Sequence, residues 1–296
     1  MKNNKQLNIL EETHLQQIKG AFSDISWKRT RLITSGCDND VLILDASLVF
    51  RFPKNQDALN KLKLEIQTLS TLGAIISLQI PQISFIGPDF SFICYPIVRG
   101  TPILPKLINA KLSSEQLLNF QKDIANFLKE LHSGATNQAL KRILPKITAR
   151  KELAELKVNA NKHLKGLLDN NDIKTIKEFF GAFNNAFANK STKTIIHGDL
   201  SWEHLLFDRA KTLSGIIDFS DAMYGDPAID FACLWDYGPV FVKTTCKLYD
   251  RKNYKELYLR SKLHYQKVAI ILLIESQRGN VFHFNDAYKM FKKRFD

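Results

Sequence analysis

Two hydrophobic periodicities divide the chain. From about Arg31 to Val98 the apolar positions come in short β-branched or aromatic runs, Val41–Asp45, Ser47–Phe52 and Ser91–Tyr95. Each is bounded by Gly, Pro, Asp or Asn, as strands are. Among them, Asp57–Leu72 carries Ala58, Leu62, Leu69 and Leu72 on one stripe at steps of four and three, which predicts a helix. After Gly100 the pattern turns helical, over Ser113–Leu131, Ala149–Leu168, Ile173–Ala188 and several stretches beyond Asp226. Ser113 followed by Gln116 is a capping-box start. Two short strands interrupt the helices, around Thr194–Ile196 and within His204–Asp218. The expectation is an α+β chain of two lobes: a β-rich N-lobe over 1–94, a connector over 95–100, and a larger, mainly helical C-lobe over 101–296. The cleft between such lobes is where a ligand would bind.

Composition narrows the class. The 296 residues are 45% hydrophobic and 24% charged, ordinary for a soluble globular protein. The apolar run that includes Ala269–Ile274 is far short of the ~20 residues of a membrane span. Met1–Glu12 lacks the apolar core of a signal peptide. The cysteines Cys37, Cys94, Cys233 and Cys246 are widely spaced, with no pair at metal-ligand spacing, and read as reduced thiols of a cytoplasmic protein. A net charge of +12 raises the question of nucleic acid. The lysines scatter over helical positions, however, and no basic-aromatic motif accompanies them, so neither a nucleic-acid nor a membrane partner is expected. One stretch reverses the sign. Asp199–Asp236 holds eight acidic residues against two basic ones, which suggests a site for cations.

The chemistry concentrates there. His204–Phe207 and Leu213–Asp218 flank the polar Asp208–Thr212 and read as a hairpin. With the turn centred near Ala210, His204 faces Ile216 and Asp218 lies diagonally across, ~7–8 Å away at the backbone. Both could then reach one metal ion, while Asp199 lies just before on a Gly-containing loop. Phosphoryl transfer needs that set, a base beside the attacking hydroxyl and ligands for Mg²⁺ on the phosphates. In the small lobe, Glu65 falls on the apolar stripe of the predicted helix. A carboxylate among leucines is costly unless a cation meets it, and Arg51, within Leu48–Pro53, is the candidate.

His197–His204 with its Gly198-Asp199 pair, Ile217–Ser220, and Gly225–Asp230 together resemble the signature of the aminoglycoside and macrolide phosphotransferase superfamily, whose fold is protein-kinase-like. The similarity runs from about Thr34 to Trp235. It implies that Asp199 is the catalytic base, that His204 and Asp218 bind Mg²⁺, and that His197 and Asp230 brace the loop. His204 where kinases have Asn resembles the 2''-aminoglycoside and macrolide phosphotransferases, and Ser220 where kinases have Gly resembles the macrolide branch. Arg51 with Glu65 looks like the strand Lys–helix Glu pair that holds phosphates, with Arg in place of Lys. Ser35 and Gly36 stand where the family covers the phosphates, although Asp38 and Asp40 nearby would repel a triphosphate unless they point outward. Phe92–Gly100 matches the family's connector. The carbonyl of Pro96 and the N–H of Val98 would meet the base, and Tyr95 would sit as a gatekeeper favouring GTP.

The resemblance therefore implies transfer of the γ-phosphate of GTP or ATP, with Mg²⁺, to a hydroxyl of an aminoglycoside or macrolide. Trp202, Glu203, Asp221, Trp235, Asp236 and Glu275 are candidate acceptor contacts. Other acceptors of this chemistry are choline, homoserine or a sugar, and a nucleotide-binding regulator without activity is the reading of a different class. Oligomeric state is not legible.

Overall fold

The computed structural model describes residues 4–187, 193–279 and 283–296. Helix α1 (Asn4–Ala21) precedes β1 (Thr30–Ile33), β2 (Asn39–Leu44) and β3 (Leu48–Pro53); α2 (Gln56–Leu72), β4 (Phe85–Ile86) and β5 (Ile93–Pro96) follow. The strands form one antiparallel sheet ordered β1-β2-β3-β5-β4. Alternation along β3 gives the sheet two faces. Phe50 and Phe52 pack with Ile18 of α1, whereas Val49 packs with Leu62 of α2 and Tyr95 of β5.

Helix α1 was not legible. Its inward positions include His14 and Ile18, and a polar residue in the stripe hides the periodicity. The His14 ring stacks on Phe52 at 3.9 Å, substituting aromatic contact for an aliphatic one. Helix α2 forms as expected. The Asn55 side chain accepts the Ala58 N–H at 2.9 Å as N-cap, and Ala58, Leu62, Leu69 and Leu72 are buried. Each leucine so buried contributes ~1.5–3 kcal/mol.

The remainder is the helical half: α3 (Ile108–Lys111), α4 (Ser114–Leu131), α5 (Gly134–Leu140), α6 (Ala149–His163), α7 (Asn170–Ala186), β6 (Thr194–Ile196), β7 (Leu205–Phe207), β8 (Leu213–Ile216), β9 (Met223–Gly225), α8 (Ala228–Ala232), α9 (Pro239–Tyr249), α10 (Tyr254–Gln277) and α11 (Phe284–Phe295). The capping box at Ser113 is present in full. Helix α6 stops earlier than the apolar pattern suggested, ahead of Gly166 with its φ of 80°. The expected end of the next helix, Ala188, lies outside the described residues.

The hairpin register also differs from expectation. Leu205, not His204, pairs with Ile216, and His204 accepts the Ile217 N–H through its carbonyl at 3.1 Å. A bulge between Leu206 and Phe207 absorbs the residue, which counting from a symmetric turn cannot foresee. The lobes also share structure: the Ile216 N–H donates to Gln79 O at 2.9 Å, and Leu69, Leu72, Ile76 and Ile80 belong to the C-lobe core. The end of α2 is therefore anchored in the larger lobe. No helix among the described residues is long and apolar enough to cross a membrane. All four cysteines are free.

Candidate functional site

Asp199, His204 and Asp218 do converge. The His204 Nδ1–H donates to the backbone oxygen of Asp199 at 2.8 Å. That bond leaves the Nε2 lone pair outward, 3.6 Å from Oδ2 of Asp218. Two acceptors at that spacing can both reach one cation at ~2.0–2.2 Å. Among the described residues no group of three or more His, Cys, Asp or Glu side chains forms a self-contained metal cage. A divalent ion held here would take its other ligands from phosphate and water, the usual habit of Mg²⁺.

Asp218 has a φ of 67°, a left-handed conformation that costs a non-glycine residue of order 1–3 kcal/mol. The surroundings compensate: the Ser220 hydroxyl donates to Oδ1 at 2.8 Å, and Arg51 Nη2 lies 3.5 Å away. Burial works against the Asp218 charge, yet Arg51, His204 and Ser220 together hold the carboxyl below its usual range.

Arg51 and Glu65 meet as the apolar stripe required, at 2.6 Å and almost wholly buried. Oε1 of Glu65 also accepts the N–H of Phe219 at 3.2 Å. Burial opposes both charges. The attraction of Glu65, Tyr95 and Asp218 still raises Arg51, whereas burial pushes the Glu65 carboxyl up despite Arg51. The guanidinium keeps its proton, and Oε1 of Glu65 accepts from both Arg51 and Phe219 while Oε2 is buried without a partner among the described residues.

His197 and Asp230 form the brace beneath Asp199. The carboxylate of Asp230 accepts the N–H groups of His197 (3.0 Å) and Gly198 (2.9 Å) and faces His132 Nε2 at 3.1 Å. The His197 Nε2–H donates to Ile217 O at 3.2 Å, tying the two loops together. His132 escaped sequence reasoning because it is merely the residue that ends α4. Gly198 has a φ of 86°, and a Cβ there would stand 2.2 Å from Asp221 O. Only glycine fits.

The loop over the expected phosphate position is pinned by lysines the sequence did not single out. Lys54 donates to the carbonyls of Thr34 (2.8 Å) and Gly36 and pairs with Asp40 at 3.4 Å. Lys61 bridges Asp38 (2.9 Å) and Asp221 (3.0 Å), linking loop, α2 and the segment after Asp218. The suspected repulsion of Asp38 and Asp40 is thus neutralised. Ser35 and Gly36 sit on this loop.

In the connector, Ile97 donates to Ser47 O at 2.8 Å. Strand alternation then turns the Pro96 carbonyl and the Val98 N–H to the side away from β3. Tyr95 is buried with Val49 and Leu62, its hydroxyl pushed up to about 12 by burial.

Asp199 and Asp236 line a cavity of about 330 Å³ between the Gly198–Ser201 loop and α10. Glu275 lines a smaller one of about 180 Å³ that adjoins it through Glu152, Lys267 and Ile271. The remaining expected acceptor contacts stand elsewhere. Trp202 and Glu203 form a turn beside β7 and are absent from the cavity wall. Asp221 is engaged by Lys61, and Trp235 packs on Tyr258 and Tyr265 with its indole N–H on Ser261 at 3.0 Å.

Comparison with known proteins agrees with this fold. The chain is 26% identical over 198 residues to the uncharacterized protein YcbJ of Bacillus subtilis (strain 168), covering 62% of this chain and 60% of that one, so the match spans less than two thirds of the relative. The GDP complex of wild-type aminoglycoside 2'-phosphotransferase-IIIa superposes with a TM-score of 0.86 at 24% identity, covering 96% of this chain and 98% of that one. Macrolide 2'-phosphotransferase type I superposes at 0.71 with 18% identity, covering 94% and 96%. The family model described as "Phosphotransferase enzyme family" matches residues 29–259. With most of its length inside that match, the chain belongs to the phosphotransferase enzyme family.

Proposed function

We propose that this protein transfers the γ-phosphate of GTP or ATP to a hydroxyl of a small molecule of the aminoglycoside or macrolide kind. The observation that carries the reading is the convergence of Asp199, His204 and Asp218 beside the buried Arg51–Glu65 pair, with Asp199 also on the wall of a cavity able to admit an acceptor. The relative solved with GDP supports a nucleotide donor.

In this reading the purine edge meets the Pro96 carbonyl and the Val98 N–H, and Tyr95 behind them favours guanine. Arg51 faces the phosphates from β3, and the loop of Ser35 and Gly36 covers them. Asp199, with its side chain 46% exposed, accepts the proton of the acceptor hydroxyl as its oxygen bonds to the γ-phosphorus. The bond from that phosphorus to the β-γ bridging oxygen breaks, and nucleoside diphosphate leaves. His204 Nε2 and the Asp218 carboxylate are the donors that would hold Mg²⁺. When bound, the ion offsets the negative charge of the phosphate oxygens.

The test is a screen of purified protein with GTP and ATP against aminoglycosides, macrolides, choline, homoserine and sugars, reading nucleoside diphosphate. Asp199→Asn is expected to lose turnover by about 10³-fold while still binding nucleotide, on the scale of general-base loss. Turnover undiminished in that variant would sink the reading. Absence of hydrolysis or transfer with every acceptor would favour the regulator.

A further inference from the structure

The acceptor cavity and its neighbour form one cleft along α10, and the charges on its wall are unevenly free. Five carboxylates line the two cavities (Asp199, Asp236, Glu152, Glu155 and Glu275) against the cations Lys267, Arg278 and Arg294. Two of the carboxylates are already neutralised. Lys267 Nζ lies 2.7 Å from Glu152, and Arg278 lies 2.8 Å from Glu275. Lys267 is 7% exposed, and it and Glu152 stand where the two cavities meet. A third cation, Arg294, stacks 4.0 Å above the Tyr265 ring and donates to the Tyr265 carbonyl at 2.9 Å. Beside these, Val268 and Ile271 present partly exposed apolar side chains, 38% and 37%, to the same wall.

We propose that the Lys267–Glu152 pair is the charge filter of the acceptor cleft, restricting it to acceptors of low positive charge with an apolar face. This rests on the phosphotransferase reading given above and names which acceptors that site takes. A polycation entering the cleft would meet fixed Lys267 and Arg294 and would find beside the base Asp236, a carboxylate with no cation against it among the described residues that accepts the Tyr265 hydroxyl at 3.5 Å. Each ammonium would have to give up water for a wall on which Glu152 and Glu275 are already paired and Glu155 lies exposed at the solvent end beside Lys151, and partly buried like charges are screened only weakly by salt. An acceptor with a single amine could set that amine against Asp236 and its apolar face against Val268 and Ile271.

The test is calorimetric binding of two probes, the tetra-amine kanamycin and the mono-amine erythromycin, to the full chain with GDP and Mg²⁺. Wild type is expected to bind erythromycin more tightly. Lys267→Met keeps the stem but frees the Glu152 carboxylate, and should tighten kanamycin by about tenfold while leaving erythromycin within about threefold, the size of one added charge contact at a half-buried site. Glu152→Gln should shift kanamycin the opposite way. Lys267→Gln, which retains a donor towards Glu152, must share the sign of Lys267→Met should the latter fail to fold.

A parallel shift of both probes would mean a merely structural pair and would overturn the proposal. Kanamycin bound more tightly than erythromycin by wild type would overturn it too, as would failure of both proteins to bind either probe. Binding is read without turnover, so the same titrations in an Asp199→Asn background separate the charge rule from the phosphotransfer reading.

Discussion

Nη1 of Arg51 lies 2.6 Å from Oε1 of Glu65, and that same oxygen accepts the backbone N–H of Phe219 at 3.2 Å. One buried ion pair therefore joins β3, α2 and the segment that carries Asp218. Both charges stand on small-lobe elements and neutralise each other there, where neither would be tolerable alone; the Phe219 bond is what ties the pair to the large lobe.

Arg51→Ala should accordingly damage both stability and chemistry. Leaving Glu65 buried without its partner costs about 3–5 kcal/mol, seen as a lowered Tm. Arg51→Lys restores the charge without the planar fork, and should recover much of the Tm while the nucleotide KM stays raised. A wild-type KM in both variants would make Arg51 a structural residue.

Gly198 precedes Asp199 with a φ of 86° and no room for a Cβ against Asp221 O. Gly198→Ala should cost ~1–3 kcal/mol of strain and displace the loop. A shift of that kind at the base is expected to reduce kcat by about 10²-fold, more than it changes nucleotide affinity. Steady-state kinetics alongside a melting curve would separate the two effects.

Tyr95 fills the space behind the connector and is buried against Val49 and Leu62. Replacing it by alanine opens that space, and the ratio of GTP to ATP use should fall. Parallel kcat/KM measurements with both nucleotides decide the matter, and an unaltered ratio would leave Tyr95 as packing alone.

Asp226 links α8 to α10, with Arg260 at 2.9 Å, His264 at 3.5 Å and the Ala228 N–H at 3.0 Å. Burial disfavours its charge, but His264, Arg260 and that N–H together hold the carboxyl below its usual range. A depressed carboxyl contributes stability above its unfolded value of about 4, and loses it as pH falls through the folded value. Asp226→Asn should cost ~2 kcal/mol at neutral pH and flatten the loss of Tm that wild type shows below about pH 4. An equally steep acid limb in the variant would show that other carboxylates control it.

The division of labour between sequence and tertiary structure follows from range. Local chemistry made the elements legible: the stripe of α2, the capping box at Ser113 and the apolar runs of β2 and β3 each depend on neighbours a few residues away. Glu65 was legible for the opposite reason, since a charge on an apolar stripe demands a distant partner. Asp199, His204 and Asp218 could be singled out because twenty positions of chain hold all three. The bulge that shifts the hairpin by one residue could not be foreseen, nor could His132 beneath Asp230 or Lys61 between Asp38 and Asp221. A solvent-facing lysine and a helix-ending histidine look alike in any sequence. Only the packing of α2, α4 and α10 around the loop that carries Asp199 gives such residues their partners, because burial and charge pairing are properties of distance in space, which chain order leaves open.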